Sequence, residues 1–336
     1  MQLHKTLTLT FAASSALLSL AHPGHHEELD SPGIRAYKRD LSNGLNACAI
    51  HHEANGLKGR AEDRRRDLVA LHRRALQARD TISVLNTSHL GLDSDISPFD
   101  PPAEIFRDTS KKAFGVPVIL EQQYIDVETC RPVSNLYAEL WGCNATGVYS
   151  GLVAEGNGNG ADLSNRNATF LRGVQMTDAE GVVRFDTLFP GHYDGRTTHY
   201  HNIAHFGAKR LPNNTLSGGI VGHVAQIFWD QNIINTVEDT YPYNINEIPI
   251  TSNAVDRVVA QETKHSDSDP MLNYVFLGDK VEDGIFAWIT VAVNLSAVHY
   301  PYYTNVWTAE GAVEIEGTED GDPRIVDGGL PQTTAV

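Results

Sequence analysis

The 336-residue chain is 41% hydrophobic and sets 26 Lys and Arg against 42 Asp and Glu, for a formal net charge of −16. That length suits one large domain or two modest ones, either of which buries a substantial core. The acidic balance repels phosphate backbones and excludes nucleic acid as the main partner.

In chain order, Lys5 followed by the apolar run "LTLTFAASSALLSLA", with Ser19 and Ala21 as small cleavage-site residues, reads as a signal peptide over residues 1–21. No later stretch is apolar for long enough to span a bilayer, so a secreted, extracellular product with no membrane partner is expected. Asn-x-Ser/Thr sequons at Asn86, Asn144, Asn167, Asn213 and Asn294 fit a eukaryotic secretory route and a glycoprotein, although the sequon at Asn144 sits where a glycan fits poorly. Export exposes Cys48, Cys130 and Cys143 to oxidation, and the simplest arithmetic is one disulfide and one leftover thiol. Cys130 and Cys143 flank a predicted strand that holds them roughly 20 Å apart. Cys48 is therefore expected to pair with one or the other.

Residues 22–56 read as an irregular leader, with a dibasic Lys38-Arg39 that suggests processing and histidines 22, 25 and 26 solvated near its start. From Leu57 to Asp80 the spacing of Ala61, Leu68, Leu71, Ala75 and Leu76 predicts a helix with an arginine-rich face turned to solvent. A Pro/Asp/Ser linker over residues 90–104 completes the segment 57–104. Strand-length apolar or alternating runs follow at 116–127, 135–142, 181–189, 196–207, 218–230 and 284–295, separated by turn clusters such as "ETCRPVSN" and "EGNGNG". Strands without long intervening helices predict a mainly β fold, an antiparallel β-sandwich over residues 105–308. Residues 309–336 read as an acidic, loose tail.

The densest chemistry lies in "FPGHYDGRTTHYHNIAHFG", residues 189–207. His199 and His201, at i and i+2 of a strand, share a face about 7 Å apart and can converge on one cation. His205 has the same parity but stands roughly 13 Å from His201, which makes it a core or supporting residue. No glutamate follows for a cupin-type site, and Asp194 is the sole nearby carboxylate for a facial triad. Tyrosine is what surrounds the histidines, with Tyr193 just upstream and Tyr149 closing "LWGCNATGVYSG". Phenolate is a hard anionic donor suited to ferric iron and poorly suited to zinc. Singly, each of these residues has a plainer role, since strand-end tyrosines usually pack their rings and bond their hydroxyls.

The segments "LYAELWGCNATGVYSG", "FLRGVQMTDAEGVVRFDTLFPGHYDGRTTHYH" and "GHVAQIFWD" resemble the intradiol ring-cleavage dioxygenases, in particular their secreted fungal branch, from about Val116 to Asn294. The resemblance implies a β-sandwich holding non-haem Fe(III). It assigns Tyr149, Tyr193, His199 and His201 as ligands, Tyr193 as the labile one, Arg196 as the active-site arginine and Gln226 as a glutamine beside the substrate. It also implies a catechol-type substrate and O2, cleavage between the hydroxyl-bearing carbons to a cis,cis-muconate, and either dimerisation through the amino-terminal helix or a covering role for it. Two features depart from the family: secreted relatives often carry "EGPYY" where this chain has "DTSKKAFGVPVIL", and Tyr200 stands between the histidines in place of an aliphatic residue. By its parity Tyr200 faces the other side of the strand and packs. The alternative function is a non-catalytic β-sandwich binding aromatic or carbohydrate ligands around a structural metal; Arg196 and Gln226 have no place in such a staple.

Overall fold

The computed structural model describes residues 32–77, 114–153, 157–158, 162–168, 170–210, 216–265, 268–298, 305–308, 311–314, 325–326 and 330–331. The expected signal peptide and the linker lie outside the described residues, as do Asn86 and Asn213.

Two helices come first, α1 (Pro32–Ala54) and α2 (Leu57–Gln77). The irregular leader expected over 22–56 is thus helical across most of its described length. Pro32, whose missing N–H costs nothing in a first turn, opens α1. Gly56, at φ +73°, makes the sharp joint between the helices, and Asn55 Oδ1 accepts from Leu57 N at 3.0 Å. Tertiary contacts hold α1 in place. Cys48 is bonded to Cys130, and a Cβ on Gly44 would meet Val127 Cβ at 2.7 Å, so α1 lies directly on the chain that follows β1. Lys38 is inside this helix and ion-paired with Glu262, which removes the dibasic pair from the extended backbone that a processing protease requires.

The strands that follow are β1 (Pro117–Asp126), β2 (Arg131–Pro132), β3 (Tyr137–Trp141), β4 (Arg172–Met176), β5 (Val182–Leu188), β6 (His199–Phe206), β7 (Lys209–Arg210), β8 (Leu216–Ser217), β9 (Ile220–Phe228), β10 (Asn273–Phe276) and β11 (Ile285–Val293). Between β9 and β10 run two short helices, α3 (Gln231–Glu238) and α4 (Arg257–Ala260). One sheet runs β10-β11-β1, and the far edge of β1 is shared by β5 and the short β2. The other runs β4-β3-β6-β9 and is antiparallel throughout. The expected all-antiparallel sandwich holds except at β1 and β11, which run parallel from Val118↔Ile285 to Asp126↔Val293.

Alternation along the strands sorts residues between the sheets and outside them. Val118, Leu120 and Tyr124 of β1, Val183 and Phe185 of β5, and Tyr200 and Ala204 of β6 enter one buried cluster with Trp229. Each large apolar side chain so buried contributes about 1.5–3 kcal/mol. The opposite parity of β1 meets α2: Ile119 packs with Leu68, Leu277 and Phe286, while Glu121 receives both Arg64 and Arg65. The arginine face expected to point to solvent is therefore partly the lid over a buried carboxylate, and α2 covers the sandwich. Cys143 is free and buried. Where a loose tail was expected over 309–336, Gly311–Glu314 pairs back on Asn305–Thr308, and Ile325–Val326 pairs with Leu330–Pro331. No described helix is long and apolar enough to cross a membrane.

Candidate metal centre

Strand β6 turns Tyr200 into the core, where its hydroxyl donates to Leu188 O at 2.7 Å, and so turns His199 and His201 to the outer face of the second sheet. Their Nε2 atoms lie 3.3 Å apart. His199 Nδ1 donates to Thr197 O at 2.6 Å, which fixes the tautomer and leaves Nε2 with its lone pair. His201 sits in register between Trp141 of β3 and Gln226 of β9.

Tyr149 reaches this face on the loop after β3. Asn144 Oδ1 accepts from Thr146 N and Val148 N, both at 3.0 Å, which winds the loop tightly. The backbone of Tyr149 is clamped by Asn157 Oδ1 on its N–H at 2.7 Å and Asn165 Nδ2 on its carbonyl at 2.5 Å. Tyr193 arrives on the loop after β5. Its neighbour His192 is buried between Glu238 Oε1 at 2.8 Å and Ile248 O at 2.7 Å, and Asn246 Nδ2 donates to His192 O at 2.8 Å. Gly147 lets the two loops touch: it adopts φ +78°, and a Cβ there would lie 2.2 Å from His192 O.

Both phenols consequently point at one spot. Tyr149 Oη lies 3.5 Å and Tyr193 Oη 3.2 Å from His199 Nε2, so His199 is the hub of a cluster with Tyr149, Tyr193 and His201. Tyr149 is fully buried and Tyr193 nearly so. Burial, then the neighbouring Tyr193, holds the Tyr149 phenol well above 10, so it ionises only against a strong local cation. Among the described residues no three His, Cys, Asp or Glu are placed to share a metal, and the cluster qualifies only through its phenols. Two phenolate oxygens and two neutral imidazoles fit ferric iron and are a poor set for zinc.

Arg196 is fully buried beside this cluster, with Nη2 donating to Gln226 Oε1 at 2.5 Å and Nε to Asp256 Oδ2 at 2.9 Å. Burial opposes the charge on Asp256, but Arg196 holds its carboxyl below the usual range. His205 stands apart from the donors and pairs with Glu139 Oε2 at 3.1 Å. The sequence-predicted residues Tyr149, Tyr193, His199, His201, Arg196 and Gln226 thus gather on one face. Asp256, Glu238, Asn157 and Asn165 support them and were missed. Asp256 is legible in sequence only as the cap of α4, where Oδ1 accepts from Val258 N at 2.9 Å; Asn157 lay within the turn-like "EGNGNG".

A family model described as Dioxygenase matches residues 102–276, more than half of the chain. Solved structures similar to the chain include an intradiol ring-cleavage dioxygenase from Tetranychus urticae, 26% identical, covering 56% of this chain and 85% of that one at a TM-score of 0.45. The dioxygenase domain of a dioxygenase carbohydrate-binding protein fusion from Streptomyces sp. SirexAA-E is 20% identical over 56% of this chain and 84% of that one, at a TM-score of 0.34. A catechol 1,2-dioxygenase from Acinetobacter sp. ADP1 is 18% identical over 56% and 55%, at 0.32. No curated protein sequence matches the chain.

Proposed function

This chain belongs to the intradiol ring-cleavage dioxygenase family, and we propose that it is a secreted enzyme of that family using non-haem Fe(III) to cleave a catechol-type substrate to a cis,cis-muconate. The observation that carries the proposal is the convergence of Tyr149 Oη, Tyr193 Oη and His201 Nε2 within 3.2–3.5 Å of His199 Nε2. Tyr149, Tyr193, His199 and His201 would hold the metal. Ferric iron, when bound, would draw electron density from a chelated catechol and open a ring carbon to O2.

The chain's own groups supply the rest. Tyr193 Oη, as phenolate, would accept the proton of a catechol hydroxyl as the substrate enters; its loop hangs on the contacts of its neighbour His192. Tyr149, with Asn157 and Asn165 clamping its backbone, stays in place as the permanent anionic donor. Arg196 presents a preorganised donor toward negative charge that develops on the substrate, and Gln226 and Asp256 fix its aim before substrate arrives. Phe228, whose ring lies 5.6 Å from His199, helps keep water from the cluster.

The purified chain reconstituted with ferric iron should be wine-red from tyrosinate charge transfer and should consume O2 with catechol while muconate absorbance grows. A colourless preparation after reconstitution would sink the metal assignment. Tyr193→Phe should shift the absorption band and slow turnover while retaining iron; an unchanged spectrum and rate would remove Tyr193 from its role.

A further inference from the structure

Among the described residues, Arg196, Arg172 and His192 stand beside the donor cluster, and each comes with a carboxylate of its own. Arg196 is fully buried against Asp256, itself nearly inaccessible, with Nε–Oδ2 at 2.9 Å. Arg172 lies over the Trp141 ring at 4.6 Å, and that ring packs on Tyr149 at 4.8 Å and on His201 at 5.8 Å. Its guanidinium is held by Glu139 at 2.6 Å, which also holds His205 at 3.1 Å. His192, next to Tyr193, faces Glu238 at 2.8 Å, and that pair carries no net positive charge in either state of the imidazole. Exposed Asp194 adds a carboxylate beside Tyr193, and the chain as a whole stands at −16.

We propose, resting on the function given above, that the substrate is a catechol bearing no anionic ring substituent, because Arg196, Arg172 and His192, the described cations beside the donor cluster, are already neutralised by carboxylates of the chain. A ring carboxylate entering this site would have to break one of these buried pairs or remain unpaired in a desolvated pocket, and both are costly. The field of an acidic protein also lowers the encounter rate of anions. An uncharged ring asks for neither. Arg196 then acts as an aimed hydrogen-bond donor and not as a counter-ion for a substituent.

The test compares catechol with 3,4-dihydroxybenzoate on the iron-loaded full chain. Wild type should favour catechol by roughly 100-fold or more in kcat/KM. Asp256→Asn and Glu139→Gln each release one cation, and each should narrow that ratio by about tenfold, chiefly through the KM of the carboxylated substrate, even where overall activity falls. Equal use of the two substrates by wild type would overturn the proposal. So would a parallel loss on both substrates with the ratio unchanged in both variants, the outcome of a purely structural role. Anaerobic calorimetric titration with the same two ligands reads the preference without turnover. Binding that favours catechol with no turnover of either compound would therefore sink the enzymatic function while leaving the charge selection standing.

Discussion

Removing Arg64 and Arg65 together strips Glu121 of its partners while leaving it under α2. Glu121 is fully buried in the outer face of the first sheet; Arg64 grips it through Nε at 3.0 Å and Nη2 at 2.9 Å, and Arg65 through Nε at 2.7 Å. The arginines are mostly covered themselves, at 21% and 16% side-chain exposure, so solvent screens these pairs little. An uncompensated buried carboxylate costs about 3–5 kcal/mol, and the double alanine variant should lose that much at pH 7, with Glu121→Gln in the same background restoring most of it. The pH dependence carries a sign. In the native protein burial pushes the Glu121 carboxyl up, but the two arginines outweigh it and leave it below 4.5. Its contribution is therefore present above the unfolded value and is lost as pH falls through the folded one. Without the arginines only burial remains and the carboxyl moves up, so its penalty grows as pH rises above 4.5. Urea unfolding of both proteins from pH 4 to pH 8 should give a stability gap that widens with pH. Parallel curves, or a loss below about 1 kcal/mol at pH 7, would refute the clamp.

Cys48→Ser opens a covalent link spanning 82 residues and should cost about 4–5 kcal/mol in urea unfolding under oxidising conditions. A loss no larger than that of a surface substitution would count against this bond. Asp186 is fully buried with neither carboxyl oxygen partnered, and burial pushes it up to about 7 against the opposite pull of Arg184. Its penalty is absent below the unfolded value of 3.8, grows through about 7 and then levels off, so Asp186→Asn should stabilise by roughly 2–4 kcal/mol at pH 8 and little at pH 4. An equal effect at both pH values would show that charge is not the cause. Gly147→Ala forces a side chain into a left-handed position 2.2 Å from His192 O, costing about 1–2 kcal/mol before the clash and prising the two tyrosine loops apart. Iron retention under chelator challenge should fall; unchanged retention would mean that the loops need no contact.

The central strands were legible because each is a strand-length run, apolar or alternating, bounded by turn residues: the run at 284–295 folds as Ile285–Val293 and that at 116–127 as Pro117–Asp126. β10 was not, since Asn273–Phe276 is an edge strand with no fully buried residue, and β4 is only five residues of mixed character. α1 escaped because its stability lies in docking and not in its own sequence. Gly33 and Gly44 weaken it, yet Gly44 is what allows the approach to Val127. The direction of β11 could not be read either, because alternation reports which face a residue takes and is silent about which strand lies beside it. At the metal centre the donors were visible as residue types at close spacing. Their supports were not: Asp256 follows Arg196 by 60 positions, and Glu238 follows His192 by 46.

The parallel partnership of β1 with β11 also orders events during synthesis. β1 leaves the ribosome early, and the neighbour that pairs with it from Val118 to Asp126 is the last long strand of the sandwich to emerge. Until Ile285 is available, one edge of this buried strand stands open to any passing chain. The sheet that carries His199 and His201 has no such wait, because β3, β4, β6 and β9 are all present before β10 is made. The part of the molecule that would hold iron can therefore assemble first, and the part most exposed to mispairing is sealed last.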